Sequence, residues 1–154
     1  MSEDYYKNLP KKRIGSGVLF FNKHQELLIV KPVYKDHWSI PGGVVDENES
    51  PRSTCIREVK EEIGLDIENL QFLGVDWLSL VPEVGDMLQF IFFGGVLSLE
   101  QIKEIKLDPK EISEYQFLPI EKALTLLSKK MKVRISKCFA AIKNKTTVYL
   151  EDGE

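Results

Sequence analysis

Long hydrophobic runs, metal-binding cysteine motifs and an excess of basic charge are all missing from this sequence. No apolar stretch approaches the roughly 20 residues that a membrane span needs, and the first 13 residues lack the apolar core of a secretory signal peptide. We therefore expect a cytoplasmic protein with no membrane partner. The two cysteines, Cys55 and Cys138, belong to no CxxC or Cys/His cluster and are predicted to be buried, reduced thiols.

The charge distribution argues against one class of partner and favours another. Basic residues are scattered and the net charge is −3, so a nucleic-acid duplex is not an expected partner. In contrast, six acids crowd into 17 residues: Asp46, Glu47, Glu49, Glu58, Glu61 and Glu62. Such a patch repels phosphate-bearing substrates unless divalent cations reverse its field, so metal and an anionic substrate should bind cooperatively.

Length and composition predict one globular domain over residues 1–154. The chain has 154 residues, 43% hydrophobic and 29% charged, which is enough to bury about two thirds of its unfolded surface. Residues 1–12 are polar and are predicted to be a loose lead-in. The other predicted elements are a hairpin of strands 14–21 and 27–30, a strand 38–40 running into a Gly-Gly turn, strands 70–80 and 87–97, a loop entering a strand at 110–119, helices 120–128 and 133–142, and an extended tail 146–154.

Two details of this prediction are more specific. The continuous apolar run at residues 90–93 indicates a central strand, and Gly94-Gly95 indicates a bulge or a close approach of backbone. Residues 99–107 mix charged and aliphatic side chains and receive no assignment. Strands and helices that alternate in this way favour a mixed sheet between helices.

The most informative stretch is a helix with three glutamates on one face. Ser50 and Pro51 supply a helix start, and Gly64 supplies a stop because glycine readily turns left-handed after the last helical residue. The acidic face consists of Glu58, Glu61 and Glu62, which are spaced i, i+3 and i+4. An adjacent apolar face consists of Cys55, Ile56, Val59 and Ile63.

Carboxylates at this spacing repel one another unless a cation lies among them. Hard oxygen ligands of this kind suit Mg²⁺ or Mn²⁺, so the cluster predicts a divalent metal site. The alternative is a solvated helix face, which is what most glutamate-rich helices present. The alternative loses weight because the helix follows a strand and a Gly-Gly pair that lets backbone approach a ligand closely.

Residues 43–65, GVVDENESPRSTCIREVKEEIGL, occupy every fixed position of the Nudix box, so the chain resembles the Nudix hydrolase (MutT-like) family. This resemblance implies the α/β fold of that family, an αβα sandwich with a mixed β-sheet between helices. It also implies a metal-dependent hydrolase in which water attacks a phosphorus atom of a pyrophosphate. The substrate would be a nucleoside diphosphate linked to another moiety, as in a nucleoside triphosphate, ADP-ribose, a nucleotide sugar or a dinucleotide.

The resemblance also implies roles for particular residues. Mg²⁺ or Mn²⁺ would be held by four groups: the carboxylates of Glu58, Glu61 and Glu62 and the carbonyl of Gly42. Catalysis would use these carboxylates together with an acid outside the box, for which Glu111 is the first choice and Glu114 the second. Gly43, Gly64 and a buried Glu49–Arg57 ion pair would be structural parts of the site. Which carboxylate is the general base and how many metal ions bind are left open.

The loop before the box borders the substrate cleft in Nudix proteins, which makes Lys31, Tyr34 and Lys35 candidate substrate contacts by resemblance. His37 is a fourth candidate because it adjoins Trp38 and the Gly-Gly pair. The sequence does not choose the nucleotide, and a homodimer is one of the oligomeric states it leaves open. The alternative function is a catalytically silent nucleotide sensor, although such domains often lose box carboxylates. An isomerase of the isoprenoid kind would need a cysteine ahead of the box, and residues 1–42 contain none.

Overall fold

A seven-stranded mixed sheet is the centre of the computed structural model, which describes all residues from Met1 to Glu154. The strands are β1 (Arg13–Phe21), β2 (Leu27–Pro32), β3 (Gly42–Val44), β4 (Gln71–Val81), β5 (Gly85–Val96), β6 (Ile112–Leu118) and β7 (Val148–Glu151). The helices are α1 (Glu3–Lys7), α2 (Pro51–Ile63), α3 (Leu99–Lys103), α4 (Ile120–Leu126) and α5 (Lys129–Asn144). No helix is long and apolar enough to pass through a membrane.

The strand order is β6-β2-β1-β5-β4-β7, and β3 pairs with β1 beside this path. The pairs β1–β5 and β4–β7 are parallel, whereas β1–β2, β1–β3, β2–β6 and β4–β5 are antiparallel. The predicted mixed sheet is therefore confirmed. β5 lies between β1 and β4, as the apolar run at 90–93 predicted, and its register against β1 slips at Gly94-Gly95, which confirms the bulge.

Helices α2 and α5 cover opposite faces of the sheet. Alternate residues of β1 belong to two different cores because successive side chains of a strand point to opposite faces. Val18 and Phe20 pack with the apolar face of α2, and Leu19 and Phe21 pack with Ile135 of α5 and its neighbours. The αβα sandwich is thus formed by two separate apolar layers, and both predicted thiols, Cys55 and Cys138, are buried in them.

Several local predictions need correction. The Gly-Gly pair forms strand β3, not a turn, because its backbone pairs antiparallel with β1. The predicted strand 38–40 is not formed: Trp38 makes only an isolated bridge to Leu127, and Ser39 makes one to Val30. The lead-in contains the short exposed helix α1, and the unassigned segment after residue 98 forms α3 behind a Ser98–Gln101 capping box.

The tail closes the sheet as the sequence predicted, since β7 adds to the outer edge of β4. It also supports a buried ion pair between β4 and α5. The fully buried Asp76 accepts hydrogen bonds from Arg134 Nε at 2.9 Å and from the Gly153 amide at 3.0 Å. The guanidinium of Arg134 is therefore fixed by a strand, a helix and the tail together.

Replacing Asp76 by alanine should lower the free energy of unfolding by about 3–5 kcal/mol, because it leaves the buried Arg134 charge without a partner. Urea denaturation followed by circular dichroism measures this change. Asp66→Ala is the matched control, since Asp66 belongs to an exposed ion pair with Lys60 and its removal should have a much smaller effect. Equal losses in the two variants would show that the Asp76–Arg134 pair does not stabilise the fold.

Candidate active site

The glutamate-rich helix begins and ends where its sequence predicted. Ser50 caps the N-terminus by accepting a hydrogen bond from the Ser53 amide at 3.0 Å, and Pro51 occupies the first turn. Gly64 adopts φ 75° and its amide bonds to the Lys60 carbonyl. These local signals fix which face of α2 turns towards the sheet and which carries the glutamates.

Arg57 is the centre of the hydrogen bonds in the site. Its Nε and Nη2 bind both oxygens of Glu49 at 2.8 and 2.9 Å, and its Nη1 reaches Glu58 at 3.0 Å and Glu61 at 3.2 Å. Nη2 also donates to the Val44 carbonyl at 3.3 Å. One guanidinium therefore ties the loop before α2 and strand β3 to two of the three predicted metal-binding carboxylates.

The predicted Glu49–Arg57 ion pair is present, but it is only partly buried. The side chains are 17% and 29% exposed. Hydrogen bonds from Arg57, from the Thr54 hydroxyl at 2.5 Å and from the Asp46 amide lower the pKa of Glu49 to about 2. The same pair raises the pKa of Arg57, so both groups are charged at neutral pH.

Glu62 is the most buried of the three helix carboxylates. It is 5% exposed, and burial raises its pKa to about 8 in spite of a 2.8 Å hydrogen bond from the Gly42 amide. The charges of Glu58 and Glu111 add to this increase, and Lys35 opposes it. Burial likewise raises the pKa of Glu58, although Arg57 offsets part of the shift.

Two glycines allow the backbone of β3 to approach its neighbours. A Cβ atom on Gly43 would lie 2.3 Å from Glu58 Oε1, so any side chain there would displace that carboxylate. A Cβ atom on Gly42 would lie 2.2 Å from the Ser16 carbonyl oxygen of β1. The sequence predicted a close approach of this backbone to a ligand; the groups that it approaches in the structure are the Ser16 carbonyl of β1 and the Glu58 carboxylate of α2.

Gly42, Gly43, Arg57, Glu58 and Glu61 line a cavity of about 560 Å³, and distant parts of the chain also contribute residues to its wall. Glu62 is not part of this wall and lies behind Gly42, whose amide donates to it. Glu111, in the turn before β6, lines the cavity. Glu114 does not line it and accepts a hydrogen bond from Gln116. Tyr34 and Lys35 line it as well, and the charges of Glu62, Glu111 and Glu58 contribute to a raised pKa of Tyr34, after burial as the main cause.

Two of the predicted substrate contacts lie outside the lining. His37 is exposed and absent from the cavity wall, and Lys31 turns its ammonium to the Lys35 carbonyl. Lys31 therefore supports the loop that carries Lys35. Several side chains that line the cavity were not predicted from the sequence, among them Met87, Gln89, Met131 and Arg134. The sequence did contain a sign of Gln89 and Arg134, since each is a polar residue among the apolar residues of a predicted strand or helix face.

The carboxylates offer hard oxygen donors of the type that suits Mg²⁺ or Mn²⁺. As arranged, no three acidic, histidine or cysteine side chains converge on one point at ligand distance. The reason is visible in the hydrogen bonds: Glu58 and Glu61 accept from Arg57, and Glu62 accepts from the Gly42 amide. The donor set fits a divalent cation, and binding one would require these side chains to exchange internal donors for the ion.

Comparisons with known proteins identify the family and support the fold. The family described as NUDIX domain matches residues 11–141. An RNA pyrophosphohydrolase of Hydrogenovibrio crunogenus is 42% identical over 69 residues, which cover 44% of this chain and 42% of that protein. Nudix hydrolase 5 of Arabidopsis thaliana is 34% identical over 115 residues, 71% of this chain and 37% of that protein. The chain thus spans less than half the length of these two relatives.

Solved structures share the fold at low sequence identity. A MutT protein from Methanosarcina mazei Go1 aligns with a TM-score of 0.69 and 23% identity over 90% of this chain and 99% of that one. The NUDIX domain of Shewanella oneidensis NrtR, complexed with ADP ribose, aligns with a TM-score of 0.70 and 17% identity over 95% of this chain and 100% of that one. With the match over residues 11–141, the complete box and the shared fold together, this chain belongs to the NUDIX domain family.

Proposed function

We propose that this protein is a metal-dependent hydrolase that cleaves a pyrophosphate linkage in a nucleoside diphosphate linked to another moiety. One observation carries the proposal: acidic side chains from two separate segments, α2 and the turn before β6, meet in a single cavity. Of the three cations that line this cavity, Arg134 is already paired with Asp76, which leaves Arg57 and Lys35 to offset the acids. A protein gains nothing in stability from such a cluster. Its use is to bind cations together with an anionic substrate.

The metal would be held by carboxylates of α2, namely Glu58, Glu61 and Glu62, with the Gly42 carbonyl as a further ligand by family resemblance. When bound, a divalent ion neutralises phosphate oxygens and lowers the pKa of the attacking water. Arg57 keeps Glu58 and Glu61 on the cavity side of the helix. The proton of the attacking water would pass to a carboxylate that is not already saturated with hydrogen bonds, for which Glu111 is our first assignment.

The known relatives do not choose the substrate. Their names include an RNA pyrophosphohydrolase and an 8-oxo-dGTP diphosphatase, the latter from Proteus vulgaris, and the solved structures include a UDP-X diphosphatase. The shared chemistry is a phosphoanhydride next to a nucleoside. We assign this chemistry to the present chain and leave its leaving group open.

A nucleotide sensor that binds without cleaving is the second candidate. It is favoured by one specific observation, the structural similarity to a NUDIX domain complexed with ADP ribose. The complete set of box carboxylates favours the hydrolase, because binding alone does not need an acid positioned for proton transfer.

The hydrolase proposal predicts cleavage that needs both metal and Glu62. The protein is incubated with Mg²⁺ or Mn²⁺ and a panel of nucleoside triphosphates, nucleotide sugars, ADP-ribose and dinucleoside polyphosphates, and products are identified by mass spectrometry. Glu62→Gln should reduce the rate by roughly a hundredfold or more, whereas Glu47→Gln, which removes one exposed charge from the neighbouring loop, should not. Metal-dependent binding of one nucleotide without any cleavage would favour the sensor instead.

The position of Glu111 predicts that it matters for turnover and that Glu114 does not. Glu111→Gln should lower kcat by roughly a hundredfold with little change in KM, because the glutamine keeps the shape but cannot accept a proton. Glu114→Gln is the matched control three residues along the chain. Steady-state kinetics on the substrate identified above measure both, and an unchanged kcat in Glu111→Gln would place the general base on α2.

The Glu49–Arg57 pair predicts a loss that acts through geometry. Glu49→Gln removes the charge that holds two nitrogens of Arg57, so the guanidinium is free to bind Glu58 and Glu61 more closely and to compete with metal. We expect metal affinity to fall about ten- to a hundredfold, measured as the Mg²⁺ concentration that gives half-maximal rate. High Mg²⁺ should restore most of kcat. Loss of kcat that Mg²⁺ does not restore would show that Glu49 acts in another way.

A further inference from the structure

The cavity has a second polar end that none of the roles above uses. It is formed by Arg134 of α5 and Gln89 of β5, and both line the same cavity as the carboxylates of α2. Because α2 and α5 cover opposite faces of the sheet, these two groups enter the cavity from the side away from the glutamate helix. A molecule that contacts both ends must have two chemically different parts.

Arg134 is buried yet has donors left over. The residue is 5% exposed, and its only hydrogen bond within the chain runs from Nε to Asp76. No fully enclosed side-chain nitrogen or oxygen in the protein lacks a partner. The two terminal nitrogens of Arg134 have no partner, so they must be accessible rather than fully enclosed. Because Arg134 lines the cavity, we place this accessible surface there.

Gln89 is placed beside this guanidinium by strand register. It pairs directly with Asp76 of β4 on one side and with Gly15 of β1 on the other, and directly paired residues project to the same face of a sheet. A Cβ atom on Gly15 would lie 2.3 Å from Gln89 Oε1, so the missing side chain at Gly15 gives the amide its room. The Gln89 amide makes no hydrogen bond to another group of the protein, so it keeps accessible surface in the cavity that it lines.

The surroundings indicate what kind of group these donors meet. Asp76 neutralises the charge of Arg134, so the pair presents N–H groups with no net charge, which suits a neutral acceptor better than a phosphate. Met87, Met131 and Ile40 supply apolar walls next to it. Flat heteroaromatic rings with carbonyl oxygens match such a site, since arginine pairs with the O6 and N7 acceptors of guanine.

We infer that Arg134 and Gln89 bind the nucleobase of the substrate and that Arg134, which can only donate, selects a base with a carbonyl acceptor, an oxopurine such as guanine in preference to adenine. The inference rests on the proposed function for its claim that the ligand is a nucleotide. The α2 carboxylates then face the diphosphate and the α5 end faces the base. Asp76, held by the tail through Gly153, is a positioning residue for Arg134.

Methionine-methyl NMR tests the inference without any turnover. The chain has three methionines; Met87 and Met131 flank the proposed base site, and the exposed Met1 is an internal reference. With Mg²⁺ present, GMP should shift the signals of Met87 and Met131 but not that of Met1. AMP should require an about tenfold higher concentration for the same shift.

Variants decide whether the two side chains cause this preference. Gln89→Ala breaks no hydrogen bond within the fold, and Arg134→Lys keeps a cation beside Asp76, so circular dichroism should show both folded. Arg134→Lys should reduce the GMP-to-AMP preference from about tenfold towards equality, because a single ammonium beside Asp76 replaces the planar fork of donors. Gln89→Ala should weaken the binding of GMP, whereas Lys137→Ala, an exposed cation of the same helix, should change neither the preference nor the binding. If Arg134→Lys fails to fold, the preference of the wild-type protein and the GMP binding of Gln89→Ala decide.

Four results would overturn the inference: equal binding of GMP and AMP by the wild-type protein, unchanged GMP binding in folded Gln89→Ala, no shift of Met87 and Met131 with either nucleotide, or the same shifts with pyrophosphate alone, which would make this end an anion site. The outcome is separable from that of the hydrolase proposal. Glu62-dependent cleavage together with any of these four results keeps the hydrolase and removes the base site. Base-dependent shifts in a protein that cleaves nothing keep the base site and remove the hydrolase.

Discussion

Arg57 holds together a region in which almost every other charged side chain is acidic. Its guanidinium bonds at once to Glu49, Glu58 and Glu61, and it also reaches the carbonyl of Val44 in β3. A planar fork with five N–H donors is the side chain able to do this, because lysine concentrates its charge at one point. The loop, the short strand and the helix thereby acquire fixed positions relative to one another before any ligand arrives.

This arrangement shifts the pKa values of two carboxylates of the site in opposite directions. Glu49 has its charge fully compensated, and its pKa is lowered to about 2. Glu62 is buried beside Glu58 and near Glu111, and its pKa is raised to about 8. Carboxylates whose pKa values are driven apart in this way take different roles. In the proposed function, Glu49 would position Arg57 and Glu62 would lie where an added cation gains the most, because one side of α2 is short of compensating positive charge.

Most of the local structure of the site could be predicted from the sequence, because the interactions that determine it act over a few residues. The Ser50 cap, the Gly64 stop and the spacing of the three glutamates depend only on helix geometry, and all are present as predicted. Glu111 was separable from Glu114 only in three dimensions, since the choice depends on the exact turn that precedes β6. The degree of burial of the Glu49–Arg57 pair likewise depends on the packing of β3 against β1.

What the sequence did not reveal depends on pairing between distant segments. Gln89 reaches the cavity because β5 lies parallel to β1 with Gly15 opposite it, and Arg134 reaches it because Asp76, 58 residues earlier, anchors its guanidinium. Neither relation follows from periodicity along one element. The Gly-Gly pair was predicted to be a turn for the same reason: its extended backbone in β3 depends on pairing with β1, which is distant in sequence.

The central claim is that the glutamate face of α2 binds divalent cations, and the free Mn²⁺ signal in electron paramagnetic resonance measures this binding directly. Titration of Mn²⁺ into the wild-type protein should diminish the free signal, and the Glu58→Gln/Glu62→Gln double variant should restore it, with Glu47→Gln behaving like wild type. Equal Mn²⁺ binding by the folded double variant and the wild-type protein would contradict the account.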